Sequence, residues 1–461
     1  MYLSRLRMSE IRGFHGRRAI DLPFVRPDGT FAGWTVIAGR NGSGKTSLLR
    51  AIALTLAGDR VAENLAPDYP NWRSSEMSKG AIRASFRMDD EESAALFPEF
   101  SAAPPAEPEE HGYVGIFYPS GPGRVEEQPS FRIFGPLGSQ SLVEQPAAAA
   151  EVTVPRFAFP LTRNTFGAGY GPYRRLSRTI ADRRNPTETQ EHASRFATLF
   201  DEDAPLAEGV AWMVGLHLRR LEGDNAAAHV LDTVEELLGD GLLPDGCTVE
   251  KVNSSGLWVR RGQQSFPLAE MSDGYRTVTA LVLDLVRHLF SHYGELRVAR
   301  EDGRVALRTP GIVLIDEIDA HLHVSWQQRI GDWLKRHFPR VQFIVTTHSP
   351  YICQAADPAG LIRLPGPDED APAEVVEDAL YRRVVYGTGD DAVLSDLFGL
   401  DSPYSPRAER LRRDLVALEE RVLSGEASRA EVETYENLSR TLNSSLSARV
   451  DEVSARLGGD R

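Results

Sequence analysis

Lysine and cysteine are scarce in this 461-residue chain. Only Lys45, Lys79, Lys251 and Lys335 are lysine, so its positive charge is nearly all arginine, and Lys45 is not part of a lysine-rich surface. The two cysteines, Cys247 and Cys353, are far apart and have no metal-ligand spacing. Two isolated thiols fit a reducing compartment and predict no disulfide. No uninterrupted apolar run of about 18 residues appears, so no segment is expected to span a bilayer. The residues after Met1 form no apolar signal core, and the expectation is a soluble, cytoplasmic protein. The net charge of −14 argues against non-specific coating of nucleic acid or membrane, although a local basic groove remains compatible with it. What is present is ordinary for a globular chain: 41% apolar and 26% charged residues, enough for a sizeable core in two or three structural units.

Periodicity and breakers divide the chain. The β-branched run Trp34-Thr35-Val36-Ile37-Ala38 reads as a buried strand, and residues 47–56 read as a buried helix. Another strand is expected at 81–88. Proline, alanine, serine and glutamate dominate from Glu92 to Val154, which predicts an insertion, with a small hairpin from Tyr113–Tyr118 and Phe131–Phe134. Helical periodicity follows from Glu188 to Leu243. Two strands are expected in 247–268, a helix at 275–291, a strand at Ile312–Ile315, a helix at 325–337 and a strand at Val341–Val345. This alternation predicts an α/β core with a parallel sheet. Leu411, Leu415, Leu418 and Val422, then Val432, Tyr435, Leu438, Leu442 and Leu446, predict a helical hairpin broken at Ser424-Gly425. It would pack on its own domain or contact a partner.

Four motifs carry chemistry. Gly39-Arg40-Asn41-Gly42-Ser43-Gly44-Lys45-Thr46 fits G-x-x-x-x-G-K-[ST], a loop whose N–H groups surround phosphates and whose following helix points its positive end at them. Lys45 would reach the β- and γ-phosphates of ATP, and the Thr46 hydroxyl would take a magnesium site. Ile312-Val313-Leu314-Ile315-Asp316-Glu317 is an apolar strand ending in two acids, which would be costly without a cation. Asp316 would hold magnesium and Glu317 would act as general base on water. His348, ending the neighbouring strand in Thr346-Thr347-His348-Ser349, would position that water; elsewhere a lone histidine is ordinarily structural. Met271-Ser272-Asp273-Gly274-Tyr275 opens a helix, where Ser272 or Asp273 can cap and Gly274 admits another backbone.

In this order the motifs resemble ABC-type ATPases, specifically the SMC-like AAA branch with its RecF-type and OLD-type relatives. Ile11-Arg12-Gly13-Phe14 looks like the opening strand of that branch. Ile315 to His323 looks like its acidic strand and D-loop, with Asp319 in the D-loop. Met271 to Leu285, Phe166 to Arg175 and Ser395 to Leu400 are similar to stand-alone anti-phage ATPases such as the Septu and retron-associated ATPases. The resemblance covers roughly residues 1–90 and 160–461. It implies an α/β P-loop NTPase of ABC/SMC-head type with a helical lobe and a C-terminal helical hairpin. It also implies ATP contacts at Arg12 and Ser47. Ser272, Asp273 and Gly274 would serve as a signature that meets the nucleotide of a second copy. The implied partners are a homodimer or higher oligomer and a separate effector, a nuclease or toxin. A RecF-like DNA-repair ATPase is the alternative, and a transporter ATPase ranks below it.

The expected organisation is 1–91 as the first half of the head, 92–160 as the insertion, 161–260 as a mainly helical lobe, 261–365 as the second half of the head and 366–461 as the tail. The signature departs from Leu-Ser-Gly-Gly-Gln, no Q-loop glutamine can be assigned, and neither a Toprim domain nor an HNH pattern is visible. The densest basic run, with Arg174, Arg175, Arg178, Arg183 and Arg184, reads as phosphate contacts to DNA or as a solvated helix face. Tyr170 and Arg174 have a further reading, lining the nucleotide lobe.

Overall fold

The structure, a computed structural model, describes residues 1–26, 33–68, 71–75, 79–87, 112–117, 130–134, 166–174, 188–204, 208–243, 246–393 and 404–442, with single positions between them. Contacts divide the chain into one unit, Met1–Phe398, and a second, Gly399–Arg461.

A six-stranded sheet positions the site. Its order is Glu374–Val375, Leu361–Arg363, Trp34–Ala38, Val341–Thr347, Gly311–Ile315 and Gly167–Tyr170. Every pairing is parallel except the outer one, between Leu361–Arg363 and Glu374–Val375. Strands buried on both faces read as continuous apolar runs, and Trp34–Ala38, Gly311–Ile315 and Val341–Thr347 are buried at every residue. Alternate side chains serve two cores. Ile312 and Leu314 pack with Leu48, Leu49 and Ile52 of the helix Lys45–Ala57, while Val313 and Ile315 pack with Leu281, Leu285 and Leu289 of the helix Asp273–Tyr293.

A second, antiparallel sheet runs Ile20–Pro23, Tyr2–Ser9, Ala81–Arg87, Gly112–Phe117 and Ser130–Phe134. Leu3, Leu6, Ile82 and Phe86 from it join the core around helix Lys45–Ala57. The hairpin expected near 113–134 is present, with Tyr113 opposite Phe134, and it extends this sheet through the register Ala81↔Phe117. Two sheets on one P-loop helix, with helices on the far face of the parallel sheet, make an α/β fold of P-loop type.

Three differences from the sequence reading have local causes. Residues 247–268 form three strands, Thr248–Asn253, Gly256–Arg261 and Gln264–Pro267, because Gly262 at φ +60 turns the chain back on itself. The helix expected at 325–337 is two pieces, Val324–Gln327 and Ile330–His337, the first capped by His323 accepting from Ser325 N. The helix expected at 275–291 starts and ends two residues further out, as Asp273–Tyr293, closed by Gly294 at φ +74. In the second unit, helix Pro406–Leu423 is capped by Ser405 accepting from Ala408 N at 3.2 Å. Gly425 at φ +74 makes the break, and 429–442 is helical again. No side chain of Pro406–Leu423 is buried.

Helix Asp273–Tyr293 carries a charge in its buried face. Asp284 is 4% exposed, accepts from Arg287 Nη2 at 3.0 Å and lies 3.3 Å from His288 Nε2. Burial alone would raise its pKa, but His288 and Arg287 outweigh that and hold it well below the carboxylate range. Asp284→Asn should cost about 3 kcal/mol at neutral pH, read as a lower urea midpoint. The folded-state pKa is depressed, so the wild-type advantage is present above the unfolded-state pKa of about 4 and is lost as pH falls through the folded-state value. The midpoints of variant and wild type should converge in acid; a constant gap would show that the carboxylate's charge is not what stabilises.

Candidate active site

The site lies at the carboxyl ends of the parallel strands, where the crevice of an open α/β sheet is expected. The P-loop leaves strand Trp34–Ala38 and enters helix Lys45–Ala57. Two of its glycines answer to close contacts. A Cβ on Gly39 would stand 2.7 Å from the Leu364 carbonyl oxygen, and one on Gly44, at φ +98, would stand 2.6 Å from the Phe14 ring. Phe14 is held by a tight turn in which Phe14 N donates to Ile11 O at 2.9 Å. Arg40, Asn41 and Gly42 are exposed and Ser43 is buried. Lys45 Nζ donates to Gly39 O at 2.8 Å and Arg40 O at 3.2 Å. Burial lowers its pKa against the opposing pull of Asp316, Glu317 and Asp319.

The acidic strand meets the P-loop directly. Thr46 Oγ1 donates to Asp316 Oδ2 at 2.7 Å, and Thr346 Oγ1 donates to Asp316 Oδ1. Thr346 Oγ1 also accepts from Glu317 N at 2.8 Å. Glu317 turns the chain at φ +43, and Asp319 accepts from Thr347 Oγ1. His348 follows at the end of the neighbouring strand. Its ring is open to solvent, yet the protein around it, then Lys45, push it below the ordinary imidazole range while the three carboxylates pull it up.

Arg12 and Ser47 are brought together, Nη1 donating to Oγ at 3.1 Å. The same guanidinium lies 3.8 Å over the Trp72 ring and 3.6 Å from Asp68 Oδ2. Ser272 and Asp273 are exposed at the start of helix Asp273–Tyr293. Gly274 touches the acidic turn of its own chain: a Cβ there would stand 2.3 Å from His321 O.

Arg174 is corrected by the structure. It is 2% exposed, so it offers no surface to DNA. Its Nη1 donates to Gly171 O and Asp316 O, both at 3.0 Å, and its Nη2 to Glu317 O at 3.1 Å. Burial pushes it down to about 10 while Asp316, Asp319 and Glu317 hold it up. Arg175, Arg178, Arg183 and Arg184 lie outside the described residues. Sequence reasoning gave no roles to Thr346 and Thr347, although they stand beside His348 in the motif. The clue for Arg174 was its place just after the buried strand Gly167–Tyr170.

The residues present fit a magnesium nucleotide. A hydroxyl and a carboxylate converge at Thr46 and Asp316, both hard oxygen ligands. Among the described residues the buried Ser43 hydroxyl has no hydrogen-bond partner, as expected of a group that meets a phosphate. Among the described residues no helix is long and apolar enough to cross a membrane.

Comparison with known proteins agrees with this geometry. A family described as "AAA domain, putative AbiEii toxin, Type IV TA system" matches residues 160–354, and a second AAA domain matches 5–100. The chain is 42% identical over 101 residues to "Retron Ec83 probable ATPase" of Escherichia coli, covering 22% of this chain and 17% of the relative. It is 26% identical over 342 residues to "Septu protein PtuA" of Bacillus mycoides, covering 74% of this chain and 38% of the relative. The chain thus spans well under half the length of these relatives. A solved SMC head bound to the C-winged helix domain of ScpA is 16% identical with a TM-score of 0.44, over 82% of this chain and 97% of that one. The resemblance to Septu and retron-associated AAA ATPases read from the motifs is what these likenesses return.

Arg174→Met should lower stability by about 3 kcal/mol, because several buried carbonyls lose a charged donor at once. A urea midpoint unchanged from wild type would mean that water replaces the guanidinium there.

Proposed function

We propose that this chain is an ATP-hydrolysing head of an anti-phage defence system, working in the cytoplasm as a dimer that sandwiches two nucleotides and controls a separate effector. The observation that carries the reading is the Thr46–Asp316 contact at 2.7 Å, which joins the P-loop to the acidic strand with Glu317 and His348 alongside. The likeness to retron and Septu proteins supports the defence setting.

In this reading the P-loop N–H groups and Lys45 bind the phosphates, and Arg12 with Ser47 orients the remainder of ATP. Magnesium, held by Thr46 and Asp316, supplies charge neutralisation to the phosphates when bound. Glu317 takes the proton from the attacking water, and His348 holds that water in line. Arg174 fixes the backbone that aims both acids. Ser272, Asp273 and Gly274 of one copy complete the phosphate site of the other, with Asp319 of the D-loop at the same seam. Closure on ATP and opening after hydrolysis are then the signal that an effector nuclease or toxin receives.

Lys45→Ala should weaken ATP binding by at least about 100-fold; binding within a few-fold of wild type would sink the P-loop assignment. The decisive experiment uses Glu317→Gln, its molar mass measured by light scattering with and without ATP and magnesium. The expected result is ATP binding without turnover and a mass that doubles only with nucleotide. Full turnover would remove Glu317 as base, and a nucleotide-independent monomer would remove the sandwich. A nuclease or toxin co-purifying from the native host would identify the effector; no co-purifying effector in either nucleotide state would count against effector control.

A further inference from the structure

His348 stands between two residues that are both tied to the acidic turn. On one side Thr347 Oγ1 donates to Asp319 Oδ1, and Ser349 N donates to Thr347 Oγ1 at 2.9 Å. On the other side Ser349 Oγ donates to Gln327 Oε1 at 2.6 Å, and Gln327 Nε2 donates to Leu322 O at 2.9 Å. The amide has one orientation available. Ser349 Oγ also accepts from Tyr351 N, and its proton goes to the amide oxygen because the amide nitrogen is committed elsewhere. Leu322 O can only accept, so it takes the amide nitrogen. Thr347 is fully buried and Ser349 is 6% exposed, so these bonds are shielded from competing water.

The far side of the same turn meets the signature position. Gly274 lies so close to His321 O that a Cβ would be 2.3 Å away, and His321 itself sits at φ +65. The contacts therefore run without a gap from Gly274 to the turn 319–322, through Gln327 to Ser349, and so to His348.

We propose that Gln327 is a positioning residue for hydrolysis, setting His348 according to where the acidic turn and the Ser272–Gly274 end of the helix lie. It touches neither nucleotide nor water and acts through Ser349. The inference rests on the reading of His348 as a residue that places water, and it names how engagement at Ser272–Gly274 reaches that residue. A bland role for Gln327, tying the helix Val324–Gln327 to its neighbour, predicts lost stability and no link to His348.

The test is steady-state ATP hydrolysis by the full chain in two backgrounds. Gln327→Leu leaves a branched apolar side chain that ends one atom short of the amide and removes both hydrogen bonds. It should lower kcat by roughly tenfold or more, since a small misplacement of a positioning group costs about that much. ATP affinity should stay within about twofold. Ser349→Ala should reproduce the loss, and the double variant should be no slower than either single one. In a His348→Ala background Gln327→Leu should change kcat by less than about twofold, a result that general destabilisation would not give. Gln327→Leu with wild-type kcat, or with the same loss when His348 is absent, overturns the inference alone. Wild-type turnover by His348→Ala, or no turnover by the wild type, overturns the reading of the site and the inference with it.

Discussion

Three carboxylates, Asp316, Glu317 and Asp319, crowd one turn at the end of a fully buried strand, and a cation must answer them. That constraint organises the surrounding structure. Arg174 supplies part of the answer from below, with a guanidinium that stays charged even when burial pulls it down. It bonds to carbonyls of the turn rather than to the carboxylates. A direct ion pair would occupy the acid oxygens; this arrangement offsets their charge through space and leaves Glu317 unpaired by it. Asp316 is held instead by two hydroxyls, Thr46 and Thr346, which fix its direction without adding charge. The turn is thus rigid and still negative on its outer side, which is what a magnesium nucleotide requires.

What could be read from sequence was what is encoded locally. The P-loop glycines stand out because neighbouring atoms leave no room for a Cβ, and that exclusion appears in the spacing itself. Strand Gly311–Ile315 shows in a run of apolar residues. Arg174 and Thr346 could not be found this way. Their bonds to the acidic turn span 142 residues for Arg174 and 30 for Thr346, and no local pattern reports such a pairing. An arginine in a basic run looks the same whether it faces solvent or carbonyls. Composition likewise marked 92–154 as an insertion but carried no sign that Gly112–Phe117 would pair with Ala81–Arg87, since edge pairing depends on what lies beside a strand in space.

The two helical stretches on either side of Gly425 in the second unit were legible from spacing, while Leu446 lies outside the described residues. Leu411, Leu415, Leu418 and Val422 are half-buried, so the stripe that announced the helix finds only partial cover. Helix formation needs only one apolar face and caps such as Ser405. Which surface completes that cover is a separate matter that periodicity does not encode.

The helix Asp273–Tyr293 shows why a costly feature persists in an otherwise apolar core. Replacing a buried ionic group by apolar side chains is often neutral or favourable, so Asp284 is not explained by stability alone. Arg287 and His288 travel with it on the same helix and keep it ionised. Its neighbour from another element is Tyr170, fully buried, whose hydroxyl is pushed up first by that burial and then by Asp284, without hydrogen-bond geometry between them. The Tyr170 carbonyl in turn accepts from Asp316 N at 2.8 Å. Leucines alone would let the helix shift along its axis at little cost, because apolar contact is not directional. A fixed charge beside Tyr170 makes such a shift felt at the residue that anchors Asp316. The helix that presents Ser272 and Gly274 at one end is therefore registered in its middle against the acidic strand, so its placement and that of the acids are not independent.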